Sequence, residues 1–313
     1  MNSYIDITDK FFDKLDNIIS LKKIEEILID ISSFNDFQIS DVFKYLSKKM
    51  TSLKNLKISG CNFSQNNLFD LNAFLTNPNE RIDKIDFSNC LCPSTITSVL
   101  YSKKFPLTSL KIKMVIASKD INWIFLDNNK DNLEELEIDI NNDYEDKYKK
   151  EKNDLVLSLN KMAKLKKLKI KGGFDVKDLK DFYNYSNIEY FDVELKFEYF
   201  IKSDSIIYAP FSYFQKLKSL IIGNNFSTNY FFEFKFPPSL NCLNFKSING
   251  KCIISLLKEN IDNLAALEEF KLEKCLFDDK DLEDLLNLMD NFNQIKNKYN
   301  IIYYIINNNL RKF

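Results

Sequence analysis

The stretch LKNLKISGC, residues 53–61, decides the fold of this chain. Its apolar residues Leu53, Leu56 and Ile58 follow the spacing apolar-x-x-apolar-x-apolar, and Cys61 stands in the ninth position. In a β-strand, successive side chains point to opposite faces. The stretch therefore predicts a strand whose fourth and sixth residues point into a core, while the residues between them face outward.

The same apolar spacing recurs along the chain in a near-regular register. The first residues of consecutive copies lie 23 to 32 residues apart, with a mean of 27. The ten copies are Ile24-Ile27-Ile29, Leu53-Leu56-Ile58, Ile82-Ile85-Phe87, Leu107-Leu110-Ile112, Leu133-Leu136-Ile138, Leu165-Leu168-Ile170, Ile188-Phe191-Val193, Leu217-Leu220-Ile222, Leu240-Leu243-Phe245 and Leu267-Phe270-Leu272. Recurrence at this period indicates a repeat architecture.

This pattern resembles the leucine-rich repeat family, which has the consensus L-x-x-L-x-L-x-x-N/C-x-L. The ninth position is a check independent of hydrophobicity, and five copies carry Asn or Cys there: Cys61, Cys90, Asn141, Asn225 and Cys275. Cysteine at that position is similar to the ribonuclease-inhibitor-like subclass. The other five copies carry Ser32, Val115, Gly173, Lys196 and Ile248, so the chain resembles a degenerate member.

The resemblance implies an α/β fold, a leucine-rich repeat solenoid shaped as a curved horseshoe. A parallel sheet would line the concave face, with helices and irregular turns on the convex face. Apolar residues at helical spacing follow several strands: Leu68, Leu71, Phe74 and Leu75; Leu155, Leu159 and Met162; Leu282, Leu285, Leu286 and Met289. We expect the fourth residues of the repeats, at positions 56, 85, 110, 136, 168, 191, 220, 243 and 270, to form a buried column.

The predicted organisation has three parts. Residues 1–20 form an N-terminal helical cap, residues 21–292 the leucine-rich repeat domain of about ten repeats, and residues 293–313 a C-terminal cap or last partial repeat built on Tyr299-Ile302-Tyr304. The charged insertion at 141–152 is interpreted as an exposed loop. Several aromatic side chains of the region 182–236 are expected to fill the core, joined by extended connections near Pro210 and Pro237-Pro238.

Composition argues against catalysis. The chain has no histidine, which removes the commonest general base and zinc ligand. Its net charge of −1 argues against a generic nucleic-acid binder. The six cysteines lack the spacing of a zinc site, and no glycine-rich loop could hold a phosphate. We therefore expect no catalytic residues, no metal and no cofactor. The N-terminus lacks the pattern of a secretory signal, so we expect a cytoplasmic protein with reduced thiols.

The outward positions of the strands are the candidate binding residues. By register these are the third, fifth and seventh residues of each repeat, and the sign of their charge alternates from strand to strand. The candidates are Lys111, Lys113, Glu135, Glu137, Asp139, Lys167, Lys169, Lys171, Tyr190, Asp192 and Glu194. Opposite charges on neighbouring strands could simply stabilise one another, or they could form a striped docking surface. The less charged positions Ser219, Ile221, Gly223, Cys242 and Asn244 could add an apolar contact.

The function implied by the resemblance is that of an intracellular scaffold for protein–protein interaction, non-catalytic and monomeric by itself. Its partner would be another protein or protein assembly, with no membrane involved. One alternative is a regulator, inhibitor or activator, of an enzyme such as a small GTPase. Another is docking on a nucleoprotein such as the ribosome through the lysine-rich loop that contains Lys147, Lys149, Lys150 and Lys152, the only role foreseen for nucleic acid.

Overall fold

A computed structural model describes residues 24–77, 81–103, 106–115, 123–141, 149–175, 186–196, 207–209, 211–224, 232–290 and 292. The predicted caps at 1–20 and 293–313, with the weak repeat Tyr299-Ile302-Tyr304, lie outside the described residues. The ninth-position residue Asn225 and the aromatic residues Phe197, Tyr199, Phe200 and Phe231 also lie outside them. The ten apolar copies fall within the described ranges.

Strands and helices alternate along most of the described chain. The strands are β1 (Glu26–Asp30), β2 (Asn55–Asn62), β3 (Lys84–Pro93), β4 (Ser109–Val115), β5 (Glu135–Asn141), β6 (Lys167–Asp175), β7 (Tyr190–Lys196), β8 (Ile207–Ala209), β9 (Ser219–Asn224), β10 (Phe232–Phe234), β11 (Cys242–Lys246) and β12 (Glu269–Glu273). The helices are α1 (Asp36–Lys49), α2 (Gln65–Leu75), α3 (Ile96–Ser102), α4 (Ile124–Asp127), α5 (Lys149–Leu159), α6 (Gly250–Glu259) and α7 (Asp279–Met289). Short 3-10 turns cover Phe211–Tyr213 and Ile261–Leu264.

Ten of the described strands form one open sheet in the order β1-β2-β3-β4-β5-β6-β7-β9-β11-β12. The described strand pairs are parallel, and the fourth residues of consecutive repeats lie opposite one another, as Leu56 and Ile85 do. The fourth residues from 56 to 270 are at most 3% exposed. Each strand adds one repeat to a common core, so the prediction of an α/β leucine-rich repeat solenoid is confirmed.

Contacts divide the chain into two compact units, residues 1–139 and 140–313. In the first unit, helices α1 and α2 follow β1 and β2 and bury one apolar side each. A capping box begins α1, in which the Asn35 side chain accepts from the backbone N–H of Gln38. Phe43 of α1 lies 6.2 Å from Phe74 of α2 and 6.4 Å from Phe63, measured between ring centres. Aromatic packing therefore joins consecutive repeats behind the sheet.

In the second unit, aromatic residues fill the core where helices are short or absent. Phe191 of β7 packs against Phe214 with ring centres 5.4 Å apart, and Phe211 packs against both Phe214 and Phe236. Phe211, Phe214 and Phe236 are each at most 3% exposed. The predicted core role holds for these three phenylalanines, whereas Tyr213 is exposed.

The ninth-position cysteines tie neighbouring repeats together. The Cys90 thiol donates to the carbonyl of Ile58 (3.2 Å), and the Cys275 thiol donates to the carbonyl of Phe245 (3.3 Å). Ile58 and Phe245 both occupy the sixth position of the preceding repeat. The two bonds are therefore equivalent, and each is accepted by a backbone carbonyl of the preceding repeat's strand.

Two buried asparagines hydrogen-bond to backbone groups within their repeats, which the sequence interpretation did not include. The Asn260 amide accepts from the backbone N–H of Phe236 (2.9 Å) and donates to the carbonyl of Leu256 (2.9 Å). The Asn129 amide accepts from the backbone N–H of Leu107 and donates to the carbonyl of Phe125 in the same manner. Each amide links the end of a repeat to its beginning, and it leaves few buried polar groups unpaired there.

Two local predictions need correction. The exposed loop predicted for 141–152 is wrong from Lys149 onward, because helix α5 begins there; Lys and Glu are good helix formers. Leu286 has helical spacing but is 41% exposed, since α7 buries a narrower side than its spacing suggested. The sequence interpretation also did not include the separate two-stranded parallel sheet that β8 and β10 form.

Truncating a fourth-position residue tests the repeat register. Leu168 is 0% exposed and lies opposite Phe191, so Leu168→Ala should lower the free energy of unfolding by about 2–5 kcal/mol because it leaves a cavity. The matched control is Lys167→Ala, because Lys167 precedes Leu168 directly and its side chain is exposed. This variant should lower the free energy of unfolding by less than about 0.5 kcal/mol. Urea unfolding followed by circular dichroism measures both. Equal losses for the two variants would contradict the register.

Candidate protein-binding face

The candidate site is the outward side of the sheet, called here the strand face and made of the third, fifth and seventh residues of each repeat. In the first unit the predicted residues Lys111, Lys113, Glu135, Glu137 and Asp139 all lie on this face and are half-buried. In the second unit, Lys167, Lys169, Lys171, Tyr190, Asp192 and Glu194 lie on the strand face of β6 and β7. The predicted residues are therefore placed on one side of their strands.

Within the first unit, charges on adjacent strands pair with each other. Lys111 Nζ lies 3.1 Å from Glu135 Oε1, and Lys113 Nζ lies 3.9 Å from Asp139 Oδ2. The Ser109 hydroxyl donates to Glu135 Oε2 (3.0 Å). The opposite charges that alternate in the sequence thus form ion pairs between β4 and β5. This arrangement supports a stabilising role for the charges on that pair of strands.

The protonation behaviour of these groups agrees with the pairing. Burial lowers the pKa of Lys111, but the hydrogen bond and attraction of Glu135 outweigh it and leave the pKa above its ordinary value. Burial raises the pKa of Asp86 on β3, but hydrogen bonds from Ser88 and Lys57 leave that pKa below its ordinary value. Lys57 Nζ lies 3.2 Å from Asp86 Oδ2. Both groups are therefore held in their charged forms.

The strand face of the second unit has a different character. Its central strand β9 contributes Ser219, Ile221 and Gly223, none of which carries a charge. These strands pair in register, with Asp192 opposite Ile221 and Asn244 opposite Ile221 on the other side. The outward positions of β9 therefore form an uncharged strip in the middle of this face.

The prediction omitted the charged side chains of β11 and β12, the two strands that follow β9 in the sheet. Lys246 Nζ lies 3.6 Å from Glu273 Oε2, and Lys271 Nζ lies 2.7 Å from Glu269 Oε1. The same register applied to the copies that begin at 240 and 267 would have found them. They extend the strand face of the second unit by two strands beyond β9.

The thiols are poorly suited to nucleophilic chemistry. Burial raises the pKa of Cys61 to about 12 and the pKa of Cys90, Cys252 and Cys275 to about 11. It also raises the pKa of Cys92 and Cys242. A thiolate is the reactive form of cysteine. All six thiols are therefore protonated at neutral pH.

Among the residues that the structure describes, no three His, Cys, Asp or Glu side chains are grouped as metal ligands would be. The described helices are all too short or too polar to cross a membrane.

The similar solved structures include an internalin (InlF) from Listeria monocytogenes strain 4b F2365. It shares 12% sequence identity with this chain over 88% of this chain and 86% of that chain, with a TM-score of 0.41. No protein-family model matches the chain, and no curated protein matches it. The leucine-rich-repeat-like fold therefore rests on the strand register and on the recurring buried positions.

Reversing the charges of β5 tests whether pairing stabilises the first unit. The triple variant Glu135→Lys, Glu137→Lys and Asp139→Lys places like charges beside Lys111 and Lys113, and it should lower the free energy of unfolding by about 1–2 kcal/mol. Adding Lys111→Glu and Lys113→Glu together with Asp86→Asn is the matched control, because opposite signs then face each other across β4 and β5 and position 86, the register neighbour of position 111, carries no like charge. Thermal melting at two salt concentrations measures both. If the compensated protein melts no higher than the triple variant, the pairing contributes nothing.

The raised thiol pKa values predict a loss of stability in alkali. A buried thiol keeps its proton in the folded chain, while the unfolded thiol ionises above about pH 9. The thiol's contribution to the free energy of unfolding is therefore complete below pH 9 and is lost as pH rises toward the folded pKa. Between pH 9 and 10.5 the free energy of unfolding should fall less steeply with pH in Cys61→Ala than in the unmodified chain, by up to about 1.4 kcal/mol per pH unit. Urea unfolding with a reducing agent measures the slope.

The slope must be compared with that of the unmodified chain, because Lys103 changes the free energy of unfolding with pH in the opposite direction. Burial lowers the pKa of Lys103 to about 8, so its contribution makes the folded chain more stable as pH rises from about 8 toward 10.5. This contribution is common to both proteins and cancels in the difference. Identical pH slopes for the unmodified chain and Cys61→Ala would show that the Cys61 thiol ionises equally in both states.

Proposed function

We propose that this chain is a non-catalytic scaffold that binds a partner protein through the strand face of its second unit. The observation that carries the proposal is the uncharged strip that β9 forms in the middle of this face. In the first unit the charges of β4 and β5 pair with each other across the strands. In the second unit Ser219, Ile221 and Gly223 carry no charge, and an uncharged strip beside the charged pairs of β11 and β12 is a surface that an apolar side chain of a partner can cover.

The proposal includes the ribonuclease-inhibitor-like subclass and a reducing compartment such as the cytoplasm. Both are supported by the ninth-position cysteines. Cys90 and Cys275 donate their thiol protons to backbone carbonyls, and a sulfur in a disulfide has no proton to donate. The repeats thus use these cysteines in their reduced form, and reduced thiols persist in the cytosol.

An enzyme regulator and a ribosome-docking factor would both be special cases of protein binding. The lysine-rich loop proposed for ribosome docking is described only from residue 149 onward, where helix α5 begins. The proposal therefore commits to the strand face and leaves the identity of the partner to experiment.

A bulky side chain on the uncharged strip of β9 should abolish binding of the partner. A Cβ atom at Gly223 would lie 3.5 Å from the nearest atom, Glu194 Cγ, which is ordinary contact, so Gly223→Trp adds its bulk to the face without a clash at its root. Affinity purification of the tagged chain from its native cells, with mass spectrometry, should show a partner retained by Gly223→Ala and lost, at least tenfold, with Gly223→Trp.

A second bulky variant provides the control for nonspecific effects of tryptophan. Asn287 is exposed on α7, so Asn287→Trp adds the same side chain to a helix surface, and the partner should still be captured. Melting temperatures within a few degrees of the unmodified chain would establish that all three variants fold. Equal capture by Gly223→Trp and Asn287→Trp would refute the proposed face.

A further inference from the structure

Strand β1 lies at one end of the described sheet, and among the described strands only β2 pairs with it. The backbone groups of successive residues in a strand point to opposite sides. On the β2 side, the Glu25 carbonyl accepts from the N–H of Asn55 (2.9 Å), and the N–H of Ile31 donates to the Ser59 carbonyl (3.0 Å). The odd-numbered residues of β1 therefore bond to β2. The backbone groups that point to the opposite, open edge belong to Glu26, Leu28 and Asp30.

The apolar core is incomplete beside this edge. Ile27 and Ile29 occupy the fourth and sixth positions of their repeat but are only partly buried. Leu56 and Ile58, in the same positions of β2, are each 1% exposed. The fourth and sixth residues of β12, the other end strand of the described sheet, are at most 8% exposed. Neighbouring strands cover each other's side chains on the same face, so a strand added beside β1 would cover both isoleucines.

The outward side chains of β1 define which strand would fit. Leu28 is 64% exposed, and the acids on either side of it, Glu26 and Asp30, are exposed as well. Directly opposite residues of paired strands share a face and interact. The partner residues opposite the two acids would therefore be basic, and the residue opposite Leu28 would be apolar. The two residues between them would point inward against Ile27 and Ile29 and would also be apolar.

A second copy of this chain fits the edge poorly. Antiparallel pairing of two β1 strands about Leu28 would set Glu26 of each copy against Asp30 of the other, and parallel pairing in register would set each acid against itself. Like charges directly opposite each other are destabilising. The acids thus oppose self-association of the edge, as charges on edge strands commonly do, and they favour a basic strand from another protein.

We propose that the open edge of β1 binds an extended segment of a partner protein with the pattern basic–apolar–apolar–apolar–basic. The segment adds a strand to the sheet, and its main-chain hydrogen bonds to Glu26, Leu28 and Asp30 supply affinity. Its basic and apolar side chains supply specificity. This surface belongs to the first unit and goes beyond the proposed function, so it stands whether or not the strip on β9 binds a partner.

A short peptide tests this edge directly. The probe is acetyl-Gly-Lys-Val-Val-Val-Lys-Gly-amide. One matched probe has glutamate in place of both lysines, and another is methylated at the backbone nitrogens of its three valines, which removes donors for either strand direction. NMR titration of the full chain should shift the backbone amides at 26, 28 and 30 and leave those of β12 in place. The lysine peptide should bind at least tenfold tighter than either matched probe, and its binding should weaken as salt rises.

Exchanging the charges of β1 locates the site by a gain of binding. In the double variant Glu26→Lys and Asp30→Lys, the glutamate peptide should bind at least fivefold tighter than the lysine peptide, because the preferred sign reverses. A poorly folded protein would lose both peptides and could not produce this reversal. An unchanged preference for the lysine peptide in the double variant would place its binding elsewhere on the chain and overturn the inference.

A proline at position 28 tests the backbone contribution. Leu28→Pro removes a donor at the open edge and keeps the bonds of the odd-numbered residues to β2, since proline is tolerated in edge strands. It should weaken the lysine peptide at least fivefold, whereas Leu28→Val, which keeps the donor and an apolar side chain, should bind it within twofold. Equal affinity of the unmodified chain for the lysine and glutamate peptides would overturn the inference. So would the absence of shifts at 26, 28 and 30, the result expected if residues 1–20 or a second copy already covered this edge.

Discussion

Burial of the fourth residue of each repeat is the constraint on which the other features depend. Side chains alternate across a strand, so a slip of one residue would carry Leu56 or Leu168 to the outward side and bring charged neighbours into the core. Parallel pairing at this register stacks one repeat on the next, and no single strand and helix could bury the same apolar surface alone. The Cys90 and Cys275 thiols and the Asn129 and Asn260 amides then donate to backbone carbonyls of the strands and helices beside them.

The same register determines what the strand face can do. With the fourth and sixth residues buried, the third, fifth and seventh must face outward in rows that continue from strand to strand. On β4 and β5 these rows bring Lys111 to Glu135, and the charges satisfy one another. On β7, β9 and β11 the rows place the uncharged residues of β9 between Asp192 and Asn244, which are both buried. One backbone arrangement thus produces a charged, self-paired region on β4 and β5 and an uncharged strip on β9.

The repeat could be predicted because its signal is local and recurs ten times. Leu53, Leu56 and Ile58 define a strand by spacing alone, and Cys90 marks the ninth position that the structure ties to Ile58. The helix that begins at Lys149 was missed because a run of charged residues is compatible with a loop or a helix. The strands β8 and β10 are three residues each, too short for any period to be read.

The sequence predicted which residues face outward on the strands, but not how exposed their side chains are. Register alone shows that Asp192 and Asn244 face outward, whereas their burial depends on the length of side chains on neighbouring strands.

The most direct test of the central idea is site-specific photo-crosslinking in native cells, with the crosslinker placed at Ile221 of β9 or at Asn287 of α7. We predict that a partner protein crosslinks from position 221 and not from position 287. Crosslinking of that protein from position 287 alone would contradict binding through the strand face.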